Sequence, residues 1–295
     1  MGRIALLILT NLAVVLVIGI LVRVLGLDAA LARKGLNPGP LLIYSAVVGF
    51  TGSFVSLLIS KLMARMATGA EIISAPRNDT EVWLFQTVER LAKQAGISMP
   101  EIAIYDSPDV NAFATGPTRN NAMVAVSTGL LHSMGRAEVE AVLAHEIGHV
   151  ANGDMITMTL VQGVLNTFVI FLSRVIGYAV DKLILRNDDR RGYGIGYTLT
   201  VIFSQLVLGI LATILVSWYS RRREYRADAA SASLNGKAPM IAALRRLQAS
   251  HDEAAMLPDS LRAFGIRGGG GGFLGLFRSH PPLADRIAAL ESLPG

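Results

Sequence analysis

Residues 145–149 read His-Glu-Ile-Gly-His, and they are the part of the sequence best suited to chemistry. Histidines at positions i and i+4 fall on one face of an α-helix, so His145 and His149 can reach one metal ion. Glu146 can take a proton from water that the metal activates, which suits hydrolysis. The flanking residues are uncharged, as expected for a helix packed into a domain: Val142, Leu143, Ile147, Gly148, Val150 and Ala151. The pattern predicts a hydrolytic metal site rather than a chance occurrence.

A catalytic zinc ion takes three protein ligands and one open position, so a third ligand must come from elsewhere. Glu224 and Asp228 are again four residues apart on one predicted helix. In this interpretation Glu224 completes the ligand set and Asp228 orients a ligating histidine. The alternative is a solvated acidic face paired with the arginines of residues 221–226. The remaining histidines are also candidates for the third ligand: His132, His251 and His280.

The composition indicates a membrane protein. Of 295 residues, 52% are hydrophobic and 17% are charged, and the mean hydropathy is +0.48, which is too apolar for an ordinary soluble domain. The absence of cysteine excludes disulfide scaffolds, thiolate catalysis and cysteine-ligated zinc. The net charge of +5 comes from basic residues beside apolar runs. Membrane topology explains that charge better than nucleic acid, so no nucleic-acid partner is expected.

Four apolar runs are each about long enough to cross a bilayer as a helix. The first could instead be a secretory signal, because Arg3 precedes it and Ala30-Leu31-Ala32 resembles a cleavage site. It is longer than the apolar region of a signal, so a retained anchor is expected. The last two form a predicted helical hairpin. The four runs cover residues 4–22, 41–60, 155–180 and 195–219.

The remaining chain predicts a small folded unit in two parts. Residues 80–96 have a helical period with Thr80 as N-cap, and residues 101–107, 111–116 and 123–129 resemble strands. The metal-motif helix covers residues 136–154, and three more helical patterns follow the fourth run. We therefore predict a mainly α integral membrane protein with four transmembrane helices and a small α+β zincin-like catalytic domain. The predicted parts are the first two transmembrane helices (1–63), the metal-helix part of the catalytic domain (64–154), the transmembrane hairpin (155–219) and the part with the third ligand (220–295).

The order of motifs resembles the HtpX-type membrane zinc metalloproteases, which are relatives of the CAAX prenyl endoproteases. "HEIGH" is followed by an apolar hairpin, then "REYRAD", then "SHPPLADRI", and the resemblance covers nearly the whole chain. It implies one Zn²⁺ per chain with Glu224 as the third ligand. It also implies an edge strand that binds substrate backbone, and a role for His280 in stabilising the oxyanion or the geometry of the site. The strand residues are Asn111, Ala112, Phe113 and Ala114.

The motif and the resemblance predict a membrane-bound zinc endopeptidase. An even number of crossings between His149 and Glu224 returns the chain to the same side of the bilayer, so the site can assemble. The resemblance implies a multi-pass protein of the inner membrane, with its catalytic domain in the cytoplasm. It also implies quality control of misfolded membrane proteins, with unfolded or membrane proteins as substrates. The alternative is a membrane scaffold or metal-handling protein that uses the histidines non-catalytically and has no need of Glu146.

Overall fold

The computed structural model describes residues 37–185, 194–255 and 280–293, together with Ile20 and Val24. The described elements form two compact units. One contains Met158–Val216 and the described part of Met1–Ser56, and the other contains the described parts of Leu57–Thr157 and Ser217–Gly295. In chain order the elements are α1 (Pro38–Leu58), α2 (Ser60–Thr68), β1 (Glu71–Ile72), α3 (Asp79–Gln94), β2 (Glu101–Tyr105), β3 (Ala112–Thr118), β4 (Asn121–Ser127), α4 (Thr128–Ser133), α5 (Arg136–Asn152), α6 (Asp154–Ala179), a π-helical turn (Val180–Ile184), α7 (Ile195–Asn235), α8 (Lys237–Ala255) and α9 (Leu283–Glu291).

Three helices within the described ranges are long and apolar enough to cross a membrane: Pro38–Leu58, Asp154–Lys182 and Ile195–Asn235. They correspond to the second, third and fourth predicted spans. The first predicted span, residues 4–22, lies outside the described residues except for Ile20. Large apolar side chains face outward along α7, as lipid contact requires: Leu199 is 62% exposed and Phe203 is 68% exposed.

Polar side chains inside the membrane unit bind each other. Asn166 of α6 donates a hydrogen bond from Nδ2 to Oγ of Ser53 on α1, at 3.3 Å. Gln162, one turn earlier, donates from Nε2 to Oδ1 of Asn166 at 3.1 Å. A chain of amides and a hydroxyl therefore joins α1 to α6, where an unpaired amide would be costly in lipid.

The second unit is built on a four-stranded sheet in the order β1-β2-β4-β3. β2 and β4 are parallel, whereas β1 and β3 run antiparallel to their neighbours. The three predicted strands are confirmed, and β1, with two residues, is too short to show alternation in the sequence. One face of the sheet packs against α3 and α5, and Ala64 of α2 packs on the other. β3 pairs with β4 alone among the described strands and so forms one edge.

The predicted N-cap of α3 is wrong. The helix begins at Asp79, and Oδ1 of Asn78 accepts a hydrogen bond from the backbone N–H of Glu81 at 2.9 Å. An asparagine in extended conformation caps the free N–H groups as well as a threonine would, so the helix starts before Thr80.

Two helices carry the residues of the predicted metal site. The first, α5, ends at Gly153, whose left-handed backbone (φ 64°) turns the chain directly into α6 at Asp154. The second, α7, is one continuous helix of 41 residues, roughly 60 Å long at 1.5 Å per residue. The fourth predicted span and the predicted helix of Glu224 are therefore one element.

Close approach of α5 to α7 depends on Gly148. A Cβ atom at this position would lie 2.9 Å from Cβ of Ala230 and 3.5 Å from Cα of Ala227. The glycine lies between His145 and His149, so its small size lets the histidine face of α5 approach α7.

We expect Gly148→Ala to lower the free energy of unfolding of the second unit. Overpacking typically costs about 1–3 kcal/mol, which outweighs the roughly 1 kcal/mol that alanine gains over glycine in a helix. Adding Ala230→Gly should restore part of the loss. Gly209→Ala on α7, where the new Cβ has no atom within 4 Å, should not destabilise the protein. Thermal unfolding in detergent measures all four proteins, and equal stability of wild type and Gly148→Ala would contradict the packing argument.

Candidate metal centre

The two histidines of the motif project from α5 into a buried site. His145 is 6% exposed and His149 is 8% exposed. Their rings lie edge to face, with centroids 4.7 Å apart and planes at 87°. Helical spacing accounts for their shared face.

Glu224 of α7 meets both rings from the opposite side. Its side chain is fully buried, with Oε2 3.6 Å from Nε2 of His145 and Oε1 3.3 Å from Nε2 of His149. One ligand atom from each of these three residues lies within 4.8 Å of the other two. The structure therefore brings together the three residues that were predicted to bind the metal.

The other ring nitrogen of each histidine is held by a carboxylate. Nδ1 of His145 lies 2.9 Å from Oδ1 of Asp228, and Nδ1 of His149 lies 2.7 Å from Oδ2 of Asp154. A histidine that donates from Nδ1 keeps the lone pair of Nε2 free, and here both Nε2 atoms face Glu224. Asp228 has the contact that the sequence predicted for it.

Asp154 is a residue that the sequence analysis missed. It is 1% exposed and follows the motif helix after the turn at Gly153. Its second oxygen lies 3.7 Å from Nη2 of Arg226. The available signal was an aspartate placed directly after a glycine at the end of the motif helix.

The residues present fit a divalent cation. Oε1 of Glu224 is buried and accepts no hydrogen bond from the described residues, although Nε2 of His149 is near it. A cation between the three ligand atoms would satisfy this oxygen. Two imidazole nitrogens and one carboxylate oxygen are a donor set of catalytic zinc sites.

Both histidines hold a proton more strongly than a free imidazole. Burial lowers the pKa of His149, but its hydrogen bond to Asp154 and the nearby Glu224 carboxylate outweigh that effect and raise the pKa to about 9. The pKa of His145 is also raised, because the neighbouring carboxylates of Asp228 and Glu224 outweigh its burial. The cluster of carboxylates therefore attracts positive charge, as a proton or as a metal ion.

Glu146, the predicted proton acceptor, lies between the two histidines in sequence and is partly buried. Its negative charge contributes to the raised pKa of both His145 and His149. Its carboxylate makes no hydrogen bond or ion pair with other described residues. A carboxylate that is close to the metal site and is not engaged elsewhere is suited to accept a proton.

The C-terminal segment contributes two side chains. Nδ1 of His280 lies 2.7 Å from Oε2 of Glu224, while most of the His280 ring is exposed. Arg286 of α9 is 6% exposed and binds Asp228 through Nε at 2.8 Å and Nη2 at 2.6 Å. Arg286 was also missed, because nothing in the spacing of "PLADRI" separates it from a surface arginine.

The predicted substrate strand lies beside the metal helix. Ala112 and Ala114 of β3 pack against the core that includes Val139 and Val142 of α5, while Phe113 faces the other side of the sheet, near Tyr105. Asn111 precedes the strand and is held to Ser127 of β4 by two hydrogen bonds. Its backbone N–H donates to Oγ of Ser127 at 3.1 Å, and its carbonyl accepts from the backbone N–H of Ser127 at 3.0 Å.

Two other histidines were candidate ligands. His132 lies exposed on α4 and outside the cluster. His251 lies on α8, and its side chain is outside the part of the chain that the structure describes.

Comparison with known proteins identifies the family. The sequence model of the family described as Peptidase family M48 matches residues 78–293. A relative from Nitrosomonas europaea, described as Protease HtpX homolog, is 58% identical over 99% of both chains. One from Thiobacillus denitrificans with the same description is 55% identical over 99% of this chain and all of its own. A Protease HtpX from Alkalilimnicola ehrlichii is 56% identical over 99% of this chain and 98% of its own.

A solved structure supports the same fold. The crystal structure of S. mikatae Ste24p aligns with a TM-score of 0.60 at 20% identity, and the match covers 93% of this chain and 66% of that one. At this identity the likeness concerns the fold alone. The family match and the full-length relatives show that the chain belongs to peptidase family M48 and is a membrane-bound metalloprotease.

Proposed function

We propose that the protein is a zinc endopeptidase in which His145, His149 and Glu224 bind the metal. The observation that carries the proposal is the convergence of both Nε2 atoms on Glu224, while both Nδ1 atoms are held by carboxylates. Carboxylates behind ligating histidines orient the rings and raise their basicity. We assign that role to Asp228 and Asp154.

The chain's own residues supply the proton transfers. A bound zinc ion supplies a Lewis acid that polarises the scissile carbonyl and lowers the pKa of water towards about 7. Glu146 accepts the proton of the attacking water and returns it to the leaving amine. His280 donates from Nδ1 to Oε2 of Glu224 and so steadies that carboxylate, which the 2.7 Å distance supports.

We assign substrate binding to the edge formed by Asn111 to Ala114. An extended peptide can add to a sheet edge through main-chain hydrogen bonds, so recognition tolerates many sequences. The position of β3 at one edge of the sheet and against α5 supports this assignment. It suits protein substrates that expose extended chain, which unfolded proteins do.

We infer that the cellular role is quality control of misfolded membrane proteins in the inner membrane, with the catalytic unit in the cytoplasm. The resemblance of the motifs to the HtpX-type proteases motivates this inference, and the relatives described as Protease HtpX support the protease activity on which it depends. We also retain the division into residues 1–63, 64–154, 155–219 and 220–295, with residues 4–22 as a fourth span, as part of the proposal.

Replacement of Glu146 tests the reaction. The purified full chain with zinc should cleave an unfolded, labelled casein, and chelation should stop the cleavage. Glu146→Gln should lose about 10²–10⁴-fold in rate, because loss of a general base costs about that much. The control is Glu140→Gln, on the same helix but paired with Arg90 at the surface. Full activity of Glu146→Gln would favour the scaffold or metal-handling alternative.

Glu224 and Asp228 should differ in their effect on bound zinc. Glu224→Ala removes a direct ligand and should lose the metal and all activity. Asp228→Ala removes an orienting partner, which typically costs about 10–100-fold in metal affinity or activity, so some zinc should remain at saturating metal. Metal analysis after desalting measures both, with Glu140→Gln as control. A full equivalent of zinc in Glu224→Ala would exclude Glu224 from the site.

Zinc affinity should rise with pH. Metal ligands must be unprotonated, and His149 in the metal-free protein keeps its proton up to pH about 9. Zinc must displace that proton, and the pKa of His145 is raised as well, so apparent affinity should increase at least about tenfold per pH unit between about pH 6 and about pH 8. Asp154→Asn removes the bond that contributes most to raising the pKa of His149 and should flatten this dependence. Chelator competition measures the affinity, and a wild-type affinity that does not change with pH would contradict the argument.

A further inference from the structure

We propose that Arg286 is a positioning residue of the metal centre, which acts on His145 through Asp228. The inference rests on the proposed metal site. Three side chains on three helices form this relay of contacts. The guanidinium of Arg286 on α9 binds the carboxylate of Asp228 on α7, and that carboxylate lies against Nδ1 of His145 on α5.

The geometry of the relay fixes the plane of the carboxylate. Arg286 donates from Nε to Oδ2 at 2.8 Å and from Nη2 to Oδ1 at 2.6 Å, which is the bidentate arrangement of guanidinium and carboxylate. Oδ1 has one further lone pair, and Nδ1 of His145 lies 2.9 Å from this oxygen. A carboxylate held at both oxygens cannot rotate, so the direction in which His145 presents Nε2 is set by Arg286.

Charge gives a second reason for an arginine at this position. Asp228 and Glu224 are both buried on one face of α7, and a buried carboxylate without a partner is costly. The short hydrogen bonds of Arg286 go to Asp228, and its Nη2 also lies 3.5 Å from Nδ1 of His145. Its Nη1 makes only a longer ion pair with Oε2 of Glu224, at 3.6 Å. Arg286 therefore balances the charge of Asp228 and leaves Oε1 of Glu224 available to a cation.

A purely structural role is the competing explanation. α9 also docks through apolar side chains, since Ile287 and Leu290 pack with Met240 and Leu244 of α8 and with Ala141 of α5. On that explanation Arg286 merely fastens α9, and its loss would lower stability without a specific effect on the metal. The two explanations differ in what happens when Asp228 has already been replaced.

A double-mutant cycle on the full chain in detergent separates them. The variants are Arg286→Met, Asp228→Asn and the double mutant, measured for zinc affinity by chelator competition, for kcat and KM, and for the Tm of the metal-free protein. If Arg286 acts through Asp228, each single variant should lose about 10–100-fold in zinc affinity, as expected for an orienting partner. The double mutant should then be no worse than either single variant.

Two further variants sharpen the result. Arg286→Lys keeps the charge but cannot bind both oxygens, so it should recover only part of the affinity. Arg245→Met removes an exposed arginine of α8 that binds Glu291 at 2.9 Å. Glu291 lies on α9, the helix that also carries Arg286. It is the matched control for the docking of α9 and should leave zinc affinity and kcat unchanged.

Several outcomes would overturn the inference. They are unchanged or tighter zinc binding in Arg286→Met, additive losses in the double mutant, full recovery by Arg286→Lys, or an equal effect of Arg245→Met.

Failure of the proposed function is recognised separately by Glu224→Ala. If that variant keeps its zinc, the metal site itself is wrong and the inference falls with it. If it loses zinc while Arg286→Met binds zinc normally, only the role of Arg286 is wrong.

Discussion

The burial of two negative charges on one face of α7 is the constraint on which the candidate metal centre depends. Glu224 is 0% exposed and Asp228 is 2% exposed, and a carboxylate removed from water needs cationic or hydrogen-bonding partners. Those partners come from α5, from the segment before α9 and from α9 itself. The elements around α7 are therefore held by charge as well as by apolar packing, and the Glu224 oxygen that is left over faces the histidines.

Local spacing made much of the candidate site predictable. The histidine pair and the Glu224–Asp228 pair each lie about one turn apart on a helix, and helix geometry alone puts the members of each pair on one face. Two other contacts depend on features that spacing does not encode. Asp154 reaches His149 only because Gly153 adopts a left-handed conformation. Arg286 reaches Asp228 only because a helix distant in sequence docks beside it.

The elements of the fold were predictable where a segment was long enough to show the residue pattern of a helix or a strand. The strands with alternating or β-branched residues are present, whereas β1 is too short to leave a pattern. The continuity of α7 was not predicted, since the change from apolar to basic residues at Arg221 resembles the end of a span. A change in polarity indicates where the surroundings of a helix change. The helix itself continues for as long as its residues favour it, here to Asn235.

The unit that holds the metal centre is divided in sequence, and this division orders events during synthesis. His145 and His149 leave the ribosome before Met158–Val216, whereas Glu224 follows that stretch. With Glu224 as the third ligand, a nascent chain has only two of the three ligands until both apolar helices have been made. On the proposed ligand set, the unfinished polypeptide should therefore bind zinc weakly. Under that proposal, the order of synthesis by itself delays assembly of the site until both apolar helices exist.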